Sequence, residues 1–257
     1  MLSLRSLAVA RTGARLLLSD PAPIIVTITM PLVLAAFLMP STRALLRAEG
    51  FATANGSEQL IPGLGVLFAF LGTQLVGTLF FREHAWGTWN RLRASSLSTA
   101  DIVVGKVAPL FVCQLVQLAV LFLAGWALYG YRPTGSVLAL AAVLTAFVGM
   151  LVTFGVMLVS LFATMDQALV IGNLGGMVMA GLGGALAPAS ALPAWAQAAA
   201  HVTPAYWALA ALRDITLDAA GLRDALPALA VLVGFTVAFG LVTAVRFRAS
   251  DAKVGTT

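Results

Sequence analysis

Between Asp224 and Arg246 runs the stretch ALPALAVLVGFTVAFGLVTAV, residues 225–245, in which no side chain carries a charge. As a helix rising 1.5 Å per residue it would extend about 30 Å, the hydrocarbon thickness of a bilayer. The rest of the chain repeats the pattern. Stretches without Asp, Glu, Lys or Arg cover residues 21–40, 60–81, 107–131, 133–165 and 167–212. The fourth is long enough to hold a loop at its start. Hydrophobic residues make up 60% of the chain and charged residues 10%, and the mean hydropathy is +0.98. A water-soluble domain carries about 25% charged residues. A chain this apolar could not cover itself with polar surface in water, and lipid removes that need.

The 167–212 stretch is too long for one helix. Residues 167–186 fit one span. Pro188, Pro193 and Pro204 then break helices and mark turns. Among them lie Trp195 and the pair Tyr206 and Trp207, residues that favour the membrane interface. Residues 188–212 therefore read as short external or re-entrant helices before the last span, with Pro204, Tyr206 and Trp207 as their marker residues. The expected fold is all-α, with six transmembrane helices in one membrane domain, 1–257.

Six spans put both termini on one side. With them lie Arg5, Arg11, Arg15, Arg82, Arg91, Arg93, Lys106, Arg246, Arg248 and Lys253, against Arg43, Arg47, Arg132, Arg213 and Arg223 on the other side. Positive charge collects in the cytoplasm, so both termini are expected there. A seventh span would carry the basic C-terminal residues outside. The same placement accounts for the net charge of +5 without a nucleic-acid partner.

Arg11 and Arg15 interrupt the apolar run that a cleaved signal needs. On a helix, Arg5, Arg11, Thr12, Arg15 and Ser19 share one sector, opposite Leu2, Leu7, Val9, Ala10, Ala14 and Leu17; Leu4 and Leu18 depart from the pattern. Residues 1–20 thus read as an amphipathic interfacial helix. The fifth span pairs Gly172 with Gly176 and Ala180 with Gly184, spacings that let helices approach closely. Packing within the chain and a seam between two copies both satisfy that pattern.

Several chemistries lack their residues. No phosphate-cradling Gly-x-x-x-x-Gly-Lys-Ser/Thr loop occurs. His84 and His201 have no zinc-ligand spacing, and Cys113 reads as apolar filler. No catalytic residue and no metal ligand is assigned. No carboxylate falls at a span centre, where an ion-driven pump would use one. Thr73, Gln74, Gln114, Gln117, Thr153, Ser160 and Asn173 do fall within spans. Most are expected to bond neighbouring helices. Gln74, Gln114, Gln117 and Asn173 are the candidates for a cavity wall.

The segment between spans two and three reads REHAWGTWNRLRASSLS, residues 82–98. Tryptophan and arginine anchor protein interfaces. A compact aromatic and basic element here suits a soluble partner, and tryptophans resting among headgroups suit it equally. Glu83, then Gly87 and Thr88, then Arg91, Leu92 and Arg93, and finally Leu97 and Ser98 resemble the cytoplasmic coupling loop of ABC-2 type transporter permeases. Ser96 stands where that loop commonly has proline. Gly172 and Asn173, the run from Ala191 to Trp195, and the run from Val202 to Trp207 with Leu212 and Arg213 resemble the same family's segment before its last helix.

The resemblance implies two membrane subunits, here expected to be a homodimer, working with two copies of a separate ATPase subunit. That subunit binds ATP and magnesium; this chain binds no cofactor itself and is not an enzyme. ATP-driven closure would reach the spans through residues 82–98 and the N-terminal helix. Glu83, Trp86, Gly87, Thr88, Arg91 and Leu92 are then the expected ATPase contacts, with a mechanical role. The expected activity is export of a hydrophobic or amphipathic cargo across a bacterial plasma membrane. Export of lipid-linked polysaccharide, which the family also performs, and ion-coupled secondary transport are the alternatives.

Overall fold

The computed structural model describes residues 4–85 and 99–246. Helices α1 (Leu4–Ser19), α2 (Ala22–Ala48), α3 (Ser57–Leu71) and α4 (Gln74–Ala85) precede the undescribed segment. After it come α5 (Thr99–Tyr129), α6 (Val137–Leu161), α7 (Met165–Leu182), α8 (Ala194–Ala200), α9 (Pro204–Leu217) and α10 (Leu222–Arg246). A short 3-10 turn, Ala189–Ala191, lies before α8. There is no strand among the described residues. The chain is all-α, as its apolar runs require: in lipid a helix satisfies every backbone group within its own segment.

Among the described residues, five helical segments are long and apolar enough to cross a membrane: Ala22–Ala48, Ser57–Phe81, Ile102–Tyr129, Val137–Leu161 and Leu222–Arg246. The fifth expected span is less clear-cut. Its helix, α7, has 18 residues, about 27 Å by its rise. Asp166, Gln167 and Asn173 also dilute its apolar character. The count of six is therefore not fixed by length and composition.

Other boundaries move for identifiable reasons. Pro31 and Pro40 lie inside α2, which continues to Ala48 rather than stopping near residue 40. A proline removes one helix bond without obliging the helix to end. Lys106 was expected to precede the third span, yet α5 runs straight through it. The lysine side chain is buried, with Nζ 3.3 Å from the Leu79 carbonyl oxygen and 4.4 Å from the centre of the Phe80 ring. An aromatic face and a carbonyl together can hold an ammonium away from water.

The α3 segment forms the centre of the bundle and touches α2, α5, α7 and α9. Phe70 on α3 meets Phe147 and Phe154 of α6 edge to face, at 5.7 and 6.2 Å. In its N-terminal half Gly63 sits against the Ala185 backbone so closely that an added Cβ would fall 1.8 Å from the carbonyl oxygen. By contrast α10 leans mainly on α6 and α9 and leaves most of its surface to lipid.

Residues 188–212 form no span. The 3-10 turn, α8 and α9 replace it, and α9 runs on to Leu217. Thr203 accepts a hydrogen bond from the Tyr206 N–H at 3.3 Å, and Pro204 opens the helix where its missing N–H costs nothing. At its far end the Ile215 and Thr216 carbonyls accept from the N–H groups of Gly135 and Thr134 at 2.8 and 3.3 Å. These bonds take up carbonyls that a helix end would otherwise leave unpaired.

In α1 the side chains of Val9 and Leu17 are buried while Arg11, Thr12, Arg15 and Ser19 are exposed. The amphipathic reading holds, with Gly13 set against Pro109 of α5. The glycine pairing of the fifth span also resolves. Gly172 and Gly176 face Leu158 and Phe70 of the same chain, whereas Gly175 and Gly181 have nothing within 4 Å of an added Cβ.

Gly63→Ala should destabilise the protein by about 1–3 kcal/mol, the cost of overpacking a filled site. Gly234→Ala, where an added Cβ meets nothing, should stay within about 0.5 kcal/mol of the parent. Thermal unfolding in detergent compares the two.

Candidate transport crevice and coupling segment

The bundle is open on the side where α4, α6 and α7 meet. Thr73, Gln74 and Gly77 from the second span face Gly155 and Leu158 of α6 and Leu169, Gly172 and Asn173 of α7 across a narrow crevice of about 10 Å³, room for about one water. The structure thus brings together two of the four cavity candidates, Gln74 and Asn173. Both are half-buried. Three glycines line it, and two of them allow close packing: an added Cβ would lie 2.8 Å from Val76 at Gly155 and 2.8 Å from Leu158 at Gly172, against 3.7 Å from Leu169 at Gly77.

A larger crevice of about 440 Å³ adjoins it. Leu16, Leu17 and Asp20 from the end of α1, Pro23 of α2, Thr78 and Leu79 of α4, and Met165 of α7 line it. Gln74 and Leu169 belong to both walls. The two lie side by side, between the end of α1 and the turn that joins α3 to α4. The larger wall is leucine-rich, with a few polar groups. A crevice of this kind suits a molecule with an apolar body and a polar end.

The other two candidates lie elsewhere. Gln114 and Gln117 are buried on α5, on the far side of α3. Gln114 Nε2 donates to the Ala69 carbonyl at 3.0 Å, while its Oε1 and both amide atoms of Gln117 have no partner. Most of the polar residues expected to bridge helices do not. Thr73, Thr153 and Ser160 bond carbonyls of their own helices at 2.7–3.0 Å. A hydroxyl on a short stem reaches the preceding turn more readily than a neighbouring helix.

Among the expected coupling residues, Glu83 belongs to the last turn of α4. Trp86, Gly87, Thr88, Arg91 and Leu92 lie outside the described residues. The external markers cluster: His201 stacks against Tyr206 with ring centres 4.3 Å apart, and Trp207 Nε1 donates to the His201 carbonyl at 2.9 Å.

A polar network that joins α9 to the loop between α2 and α3 was not found from the sequence. Arg213 on α9 pairs with Glu49 beyond α2 and donates to Gln59 Oε1 on α3 at 3.0 Å. Gln59 Nε2 in turn donates to the Gly184 carbonyl at 2.7 Å, and Ser190 Oγ to Glu49 Oε1 at 3.1 Å. The side chains of Arg213 and Glu49 are only about a quarter exposed. In the sequence Arg213 counts merely as an outer-side charge; its partners are 154 and 164 residues away. Nearby, Tyr131 donates to or accepts from Thr216 at 2.9 Å, and burial pushes its phenol up to about 12. Burial, with Asp218 nearby, likewise raises the Asp214 carboxyl.

The sequence profile described as ABC-2 type transporter matches residues 8–217. The chain belongs to that family. This ABC-2 protein is 28% identical over 198 residues to the linearmycin resistance permease protein LnrN of Bacillus subtilis, covering 76% of this chain and 51% of that one. It is 27% identical over 146 residues to the probable multidrug ABC transporter permease YbhR of Escherichia coli K12, covering 56% of this chain and 40% of that one. It thus spans about half or less of these curated relatives. ABC-2 permeases are membrane components of ABC transporters, and this one is a multi-pass membrane protein.

Arg213→Leu leaves Glu49 and Gln59 short of partners, and should cost about 1–3 kcal/mol of stability. Adding Glu49→Leu should recover part of that loss, because the two residues share one network. Thermal unfolding of the single and double variants measures the coupling.

Proposed function

We propose that this ABC-2 permease is the membrane subunit of an ATP-driven exporter that moves a hydrophobic or amphipathic molecule, of the drug, antibiotic or lipid class, out of a bacterial cell. The observation that carries the proposal is the pair of adjoining crevices that share Gln74 and Leu169, one bordered by Leu17 and Asp20 and the other by Asn173. Their leucine-lined wall with sparse polar groups fits an amphipathic molecule better than a sugar polymer. The relatives LnrN and YbhR, a linearmycin resistance permease and a probable multidrug permease, point the same way.

The mechanism needs an engine outside this chain. In the proposed cycle two ATPase subunits, holding ATP and magnesium, close against residues 82–98. Glu83, Trp86, Gly87, Thr88, Arg91 and Leu92 receive that motion. α4 leads directly from that segment to the crevice wall, so a push there reaches Gln74 within four helical turns. Both termini lie in the cytoplasm, α7 serves as a sixth span, residues 188–212 form external or re-entrant helices, and 1–257 form one membrane domain.

Two copies make the pathway. α2 exposes Ile25, Val26, Met30, Val33 and Phe37, and α7 exposes Val170, Ile171, Leu174, Met177 and Val178. The uncovered Gly175 and Gly181 lie on α7 as well. A second copy seated on these faces would enclose a shared cavity and let the helices approach closely.

Reconstitution with the ATPase tests the proposal. Glu83→Gln with Arg91→Gln should reduce cargo export at least about tenfold, equivalent to about 1.4 kcal/mol of coupling, with membrane insertion unchanged. Undiminished export by that variant, or export that follows a proton gradient and ignores ATP, would overturn the coupling role.

A further inference from the structure

The second span is broken once, and the break is repaired from another helix. Where α3 gives way to α4, the Thr73 N–H bonds the Phe70 carbonyl at 3.0 Å, the Leu75 N–H bonds Gly72 at 3.1 Å, and the Val76 N–H bonds Thr73 at 3.0 Å. Each bond is one residue shorter than an α-helix would make. In a continuous helix the Thr73 N–H would pair with the Ala69 carbonyl. The Gln114 amide takes that carbonyl instead, from α5, at 3.0 Å.

The exchange is built into the packing. Inside a membrane a bypassed carbonyl has no water to turn to. Gln114 is buried to 3% exposure, and Gly72 makes the approach possible: an added Cβ there would lie 2.6 Å from Gln114 Oε1. Gln117 stands one turn further along the same face of α5, 1% exposed, with neither amide atom paired. Beside the break, α5 therefore carries more hydrogen-bonding capacity than the bent span uses. An unused amide next to one in use is what a joint that changes partners requires.

The two halves of the span are also held differently. Above the break, α3 is fixed by Gly63 against Ala185 and by Gln59 within the Arg213 network. Below it, α4 borders the crevice through Gln74, Gly77 and Thr78. A straight helix would carry any inner push into α3, whose outer end has no room to move. A jointed one confines the movement to α4.

We propose that Gln114 is a positioning residue that pins a hinge at Gly72 and Thr73. On this hinge α4 swings to change the width of the crevice, and Gln117 takes over the freed backbone when it does. The swing under ATP rests on the transport reading above; the pinning does not.

Hydrogen–deuterium exchange of the full permease in lipid nanodiscs tests it. Gln114→Leu returns the Ala69 carbonyl to the Thr73 N–H, so exchange over residues 73–76 should slow about fivefold, the worth of one net hydrogen bond. Gly72→Ala pushes the amide aside and should do the same, which covers the case in which the leucine variant folds poorly. Gln114→Glu, isosteric and neutral in that interior, should keep wild-type exchange, as should α6 in all three variants. Wild-type exchange over residues 73–76 in both Gln114→Leu and Gly72→Ala would overturn the hinge. In the complex with the ATPase, ATP should change exchange over residues 73–76 in the wild type and not in Gln114→Leu. If ATP leaves the wild type unchanged while Gln114→Leu slows exchange, the pin stands and the ATP-driven reading falls.

Discussion

A backbone in lipid has nowhere to send an unpaired N–H or carbonyl except into the protein. This requirement makes the chain helical, and it also shows where the helices deviate. The second span loses its regular bonding at Gly72 and Thr73, and Gln114 supplies the partner. At the end of α9, Thr134 and Gly135 take the last carbonyls. Each deviation is matched by a donor from a distant part of the sequence, and each such donor ties two elements together.

Those ties are unevenly spread. The end of the bundle at α9, the outer end in the proposed orientation, is bound by the Arg213, Glu49 and Gln59 network, by the contact of Gly63 with Ala185, and by the bonding of α9 to the loop before α6. The α4 end borders the crevice between α1, α4 and α7, and Lys106 of α5 donates to its Leu79 carbonyl. Gln74 and Asn173 stand where the two regions meet. In the proposed cycle this difference makes the outer end the fixed frame and α4 the moving part.

Much of the fold was legible because hydropathy is a local property. Runs without charge gave the long apolar helices, and the three prolines with Trp195 and Tyr206 separated residues 188–212 from a span. The errors came where charge served as a boundary. Lys106 lies inside α5 because an aromatic ring and a carbonyl shelter it. The site was only half legible. Amide side chains in apolar spans drew attention to Gln74, Asn173, Gln114 and Gln117, but sequence alone could not say which face of α3 each would meet. The Arg213 network was hidden because its members are far apart in sequence and each is ordinary by itself. The family resemblance found at residues 82–98 and 172–213 agrees with the profile match over 8–217.

The central claim is that the crevice holding Gln74 and Asn173 is the transport route and changes sides. Single cysteines at these positions, in a Cys113→Ala background, can be probed with a membrane-impermeant thiol reagent in vesicles carrying the ATPase complex. The account predicts that both react from the cytoplasmic face without nucleotide, and from the outer face when a non-hydrolysable ATP analogue holds the ATPases closed. Two positions that react from neither face, or whose reactivity ignores nucleotide, would contradict it.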